Sequence, residues 1–85
     1  MKFELKPNQV ITVSILGYNE DGTANDFAEV LFETTDYDEA VQFAENEARP
    51  FDKEKCPHTE VHIELITRHK NGDELCEEIL NDWEL

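Results

Sequence analysis

Five residues in this chain have side chains that commonly hold zinc: Cys56, His58, His62, His69 and Cys76. Thiolate sulfur and imidazole nitrogen are the usual ligands of structural zinc, and they come in close Cys or His pairs. Here Cys56, His58 and His62 form Cys-x-His-x3-His, no Cys-x-x-Cys pair exists, and Cys76 stands alone. That spacing predicts no metal. His62 falls on the polar side of an alternating segment, where exposure is expected. The oxygen-rich run Asn19-Glu20-Asp21-Gly22-Thr23-Ala24-Asn25-Asp26 fails as a calcium loop, which wants Gly at its sixth position and Glu at its twelfth. Counted from Asn19 those positions are Ala24 and Val30, and counted from Asp21 they are Asp26 and Phe32. Gly17, Gly22 and Gly72 are isolated, so no phosphate-cradling loop is encoded. No spacing singles out a Ser/His/Asp or Cys/His catalytic set. The expectation is a non-catalytic protein without cofactor or metal.

The charged residues carry the stronger signal. Twenty-one Asp and Glu stand against 7 Lys and Arg, a net charge of −14 in 85 residues, with a pI near 4.3. The seven bases fall at positions 2, 6, 49, 53, 55, 68 and 70. Between Pro7 and Ala48 there is no base, yet Glu20, Asp21, Asp26, Glu29, Glu33, Asp36, Asp38, Glu39, Glu45 and Glu47 occur. From Asn71 to Leu85 the pattern repeats with Asp73, Glu74, Glu77, Glu78, Asp82 and Glu84. Such charge aids solubility but opposes compaction. It repels nucleic acid and anionic membranes, so neither is expected to bind directly. Basic proteins are the natural partners.

The elements that must position these carboxylates follow from periodicity. Residues 10–18 read as a strand, with Ile11, Val13 and Ile15 opposite Thr12 and Ser14. Asn19 to Thr23 is a turn. Residues 27–34 read as a second strand, with Ala28, Val30 and Phe32 inward and Glu29 and Glu33 outward. Asp36 is a helix N-cap, and Glu39 three residues on completes a capping box. Tyr37, Ala40, Val41, Ala44 and Ala48 make one apolar stripe. Pro50 stops that helix. Val61, Ile63 and Leu65 alternate with His62 and Glu64, so 60–68 is a strand. Asn71-Gly72 predicts a hairpin to a last strand at about 74–80, with a short C-terminal helix as the alternative. The fold expected is α+β, one domain over 1–85. Its order is ββαββ: two β-hairpins and one helix, with the helix packed on one face of an antiparallel sheet. The alternation hints at two similar halves, but the residues do not align well enough to define a repeat. Trp83, Phe51, Phe27 and Tyr18 read first as core and otherwise as interface anchors.

The opening Met1-Lys2-Phe3-Glu4-Leu5 lacks the apolar stretch of a secretory signal. No run approaches the length of a membrane span. Two cysteines make no disulfide framework. A cytoplasmic protein with free thiols is expected.

In size, pI and acid runs such as Asp36-Tyr37-Asp38-Glu39 and Glu77-Glu78, the chain resembles the small acidic inhibitor proteins that phages and mobile elements direct against host DNA-binding proteins. The resemblance is one of class, without a family motif. It implies a DNA mimic that blocks, without catalysis, the basic surface of a host nucleic-acid-binding protein, often as a dimer. The residues expected to meet the partner are Glu20, Asp21, Asp26, Glu29, Glu33, Asp36, Asp38, Glu39, Glu74, Glu77, Glu78 and Asp82. Pairing of sheet edges between two copies would make a homodimer. The alternative is a generic acidic interaction or accessory domain whose charge serves solubility.

Overall fold

A computed structural model describes residues 4–85; Lys2 and the first three positions of the signal reading lie outside the described residues. The strand β1 (Gln9–Tyr18) turns into β2 (Ala24–Thr34), the helix α1 (Tyr37–Glu47) follows, and β3 (His58–Arg68) turns into β4 (Glu74–Glu84). The four strands form one antiparallel sheet in the order β2-β1-β3-β4. The α+β class and the single helix are as expected. The layout is not a hairpin–helix–hairpin succession in space, because β1 and β3 pair at the centre and push β2 and β4 to the edges. Apolar content explains this. Ile11, Val13, Ile15, Val61 and Ile63 are buried on these two strands, and a strand that must bury such a row belongs in the middle.

The register fixes the faces. Val13 lies opposite Ile63, Ile11 opposite Leu65 and Ile15 opposite Val61. Residues two apart share a side, so this row makes one face, and α1 packs on it through Ala40 and Ala44. Small helix residues let the helix approach closely. Phe32 and Phe43 stack at 4.3 Å, and Leu31, Leu80 and Trp83 pack against the same cluster. Among the described residues, no helix covers the opposite face of the sheet.

Four local expectations change. Val30 is 65% exposed and Ala28 is also exposed. A register shift between Val13 and Ser14 makes Leu31 an extra residue in β2, which turns Leu31 inward and Val30 outward. Asp36 does cap α1, accepting from the Asp38 and Glu39 amides. The other half of the capping box is absent, because the Asp36 amide donates to Thr34 Oγ1 instead. The last element is a strand of eleven residues rather than seven. His62, expected on the surface, is 8% exposed. It sits on a central strand between β1 and β4, where neighbouring side chains cover it.

The two hairpins share one turn geometry. Asn19 N–H donates to Thr23 O, and Gly22 N–H donates to Asn19 O; fifty residues later His69 donates to Asp73 O and Gly72 to His69 O. Gly22 and Gly72 hold φ of 86° and 94°, which favours glycine. Asp21 and Asn71 each accept the amide two residues ahead.

Candidate functional site

The acids expected to bind a partner are all exposed, but they do not gather on one face. Asp26, Glu29 and Glu33 ride on β2, one edge of the sheet, while Glu74, Glu77, Glu78 and Asp82 ride on β4, the other edge. Glu20 and Asp21 stand in the first turn, and Asp36, Asp38 and Glu39 open the helix. β2, α1 and β4 contain no Lys or Arg at all. Three inter-strand steps of about 4.8 Å put the two edges roughly 14 Å apart. Each edge of eleven residues runs about 34 Å, within a longest molecular dimension of 41 Å.

Several of these acids already serve the fold. Asp21 accepts from the Thr23 hydroxyl at 2.6 Å and amide at 3.0 Å, and those bonds hold its carboxyl below the usual range. Asp36 is spent on the helix cap. Arg68 reaches from β3 across β1 to both oxygens of Glu33, and its Nε donates to Glu74 at 2.7 Å. This cation ties the two edge strands together, keeps the Glu33 carboxyl low, chiefly by hydrogen bonding, and raises its own pKa. The remaining β4 acids flank Leu75 and Ile79, which are 51% and 50% exposed. Sequence reading missed this exposure, because Leu75 and Ile79 fit the apolar row of a strand; in register they point to opposite faces, Leu75 opposite Thr67 and Ile79 opposite Glu64.

The helix-free face holds a second cluster that sequence reading missed. Tyr18 lies opposite His58, Glu60 opposite Glu84 and His62 opposite Asp82. Glu60 Oε1 is 3.0 Å from His62 Nε2, and His58 Nδ1 is 3.0 Å from Glu84 Oε2. His58 Nε2 also lies 3.8 Å from Glu20. One donor atom each from Glu60, His62 and Asp82 fall within 4.8 Å of one another. Beside them Tyr18, Glu20, Gly22, His58, Glu60 and Glu84 line a shallow cavity of about 260 Å³. Burial first, then the charges of Glu60 and Asp82, raise the Tyr18 pKa. Extending the Asn71-Gly72 turn without bulges would set His62 against Leu80. Extra residues in β4 bring Asp82 there instead, and that signal is not readable from spacing.

The cysteines and remaining histidine do not assemble with these groups. Cys56 is fully buried on the helix side, accepting from Asn25 at 3.3 Å and donating to the His58 carbonyl at 3.2 Å. Cys76 is a free thiol on the edge strand, and His69 lies in the second turn. No helix among the described residues is long and apolar enough to cross a membrane. Comparison of the chain with protein-family models, with curated proteins and with solved structures finds no match.

Proposed function

We propose that this protein is a non-catalytic acidic binding protein that occupies the basic surface of a nucleic-acid-binding protein, in the manner of a DNA mimic. The observation that carries the reading is the placement of base-free, carboxylate-bearing strands at both edges of one sheet. The spacing of about 14 Å between edges is close to the ~12 Å width of a B-DNA major groove. Their length is close to the roughly 34 Å of one duplex turn. A partner with Lys and Arg along a groove would be steered to such edges as it is to phosphates.

Charge density ranks the two edges. β4 carries five carboxylates over eleven residues, one per ~7 Å, about half the linear density of a single DNA strand. β2 carries three. β4 is therefore the principal contact, with the exposed Ile79 as an apolar anchor on the same face as Glu74, Asp82 and Glu84.

The test uses the purified protein immobilised against candidate basic nucleic-acid-binding proteins, with duplex DNA as competitor. Binding that weakens with salt, is displaced by DNA, and falls when Glu77, Glu78 and Asp82 are changed together to Gln and Asn supports the proposal. Binding indifferent to those three changes overturns it. A second reading, in which the charge serves only solubility, is favoured by the engagement of Asp21, Asp36 and Glu33 in bonds within the fold. It predicts that the triple variant binds the same partners unchanged.

A further inference from the structure

The geometry points to a divalent transition-metal site on the helix-free face of the sheet, formed by Glu60, His62 and Asp82, with zinc the best-fitting ion. It does not rest on the DNA-mimic reading. Three observations converge. The donor set is mixed, one imidazole nitrogen and two carboxylate oxygens, which is the chemistry of zinc sites that keep a position open for water. The donors converge, lying within 4.8 Å of one another. Tetrahedral zinc with bonds of about 2.1 Å sets its ligands roughly 3.4 Å apart, so the exposed Asp82 side chain must draw in to close the set. The imidazole is fixed, since His62 is 8% exposed on a central strand and directly paired with Asp82 in register.

The charges around His62 favour a cation there. Glu60 and Glu64 flank His62 along β3, Asp82 faces it from β4 and Ser14 from β1, while Glu84 and Tyr18 lie farther along, opposite Glu60 and His58. Arg68 shares the face, but its guanidinium is committed to Glu33 and Glu74. A nearly buried imidazole ringed by carboxylates is a setting that attracts a cation. The imidazole nitrogen disfavours calcium and magnesium, which take oxygen ligands. It favours zinc over manganese in the usual affinity order. On binding, His62 Nε2 donates its lone pair to the metal, any proton it held leaves to solvent, and water completes the coordination.

The experiment titrates chelator-treated, full-length protein with zinc by calorimetry. Cobalt absorption in the visible region reports coordination number, and long-range ¹⁵N spectra report each imidazole. The expected result is one zinc per chain, a shifted His62 imidazole, an unmoved His69 imidazole, and affinity lowered at least about tenfold in Asp82→Asn and in His62→Gln. His62→Gln alters a buried position, so Asp82→Asn, on the exposed edge, decides the outcome if the first variant does not fold. No saturable binding, or binding that survives Asp82→Asn in a folded protein, overturns the site. So does binding that shifts His58 and depends on Glu84 instead.

Discussion

At the scale of single residues, Gly17 is the glycine most closely packed by its neighbours. A Cβ there would press on Cys56 Sγ, lie 2.5 Å from Asn25 Oδ1 and 2.9 Å from Phe27 Cβ. Two of these belong to β2 and one to the loop before β3, so an added methyl would wedge those segments apart. Gly17→Ala is expected to lower stability by about 1–3 kcal/mol, the usual cost of overpacking, read from urea unfolding. Cys76 makes a different point. Its residue is exposed, yet partial burial of the thiol, and then its hydrogen bond to Glu64, push its pKa up to about 11. At pH 8 the thiolate is scarce, so alkylation by iodoacetamide should be slower than for a free cysteine peptide, and Glu64→Gln should speed it. Neither property is legible in the sequence. Gly17 reads as an isolated glycine in a strand, and Cys76 as a zinc candidate without a partner.

At the scale of elements, the helix was the most legible part, because its cap, its alanine stripe and its proline stop all act locally. The Asp36 cap is expected to contribute ~1 kcal/mol, so Asp36→Ala should lower the thermal midpoint without changing the fold. The strands were legible in type and order but not in facing. Extra residues such as Leu31 and Leu80 depend on partner strands that spacing cannot see, so Val30 was misplaced while Val13 and Ile63 were not. The edge strands are joined by Arg68, and this has a pH signature. Glu33 is held below the ordinary carboxylate range in the folded state. Its contribution is present above the unfolded pKa and is lost as pH falls through the lowered folded value. Arg68→Gln should therefore flatten the acid limb of a stability-against-pH curve and leave the curve above pH 7 parallel to wild type. A wild-type-like acid limb in the variant would show that the exposed pair contributes nothing measurable.

At the scale of the whole molecule, a charge of −14 on so small a body sets the dependence on salt. Self-repulsion opposes the compact state and is screened over roughly 10 Å at 0.1 M ionic strength. The melting temperature should rise between low and moderate sodium chloride, by scanning calorimetry, whereas any complex with a basic partner should weaken over the same range. Like charge on both edges also works against strand pairing between copies, so a dimer formed through β2 or β4 would need high salt or a cation at the interface. The sign of the charge and the base-free stretches were plain in the sequence. Their division between opposite edges was not, since it follows from β1 pairing with β3 across a gap of some fifty residues.

That central pairing has a kinetic meaning. Each hairpin closes over a short turn with the same hydrogen bonds fifty residues apart, and Val13 and Ile63, equivalent under that offset, meet each other in register. The hairpins can form on their own, because their contacts are local. The seam between them cannot form until α1 and its flanking loop bring β3 back beside β1, which requires an unfavourable loop closure. The barrier to folding thus lies at the meeting of two near-equivalent halves. The residues on that line of approach, with the hairpins that zip before it, govern how fast the chain folds, while contacts completed only after the halves have met govern how easily it comes apart.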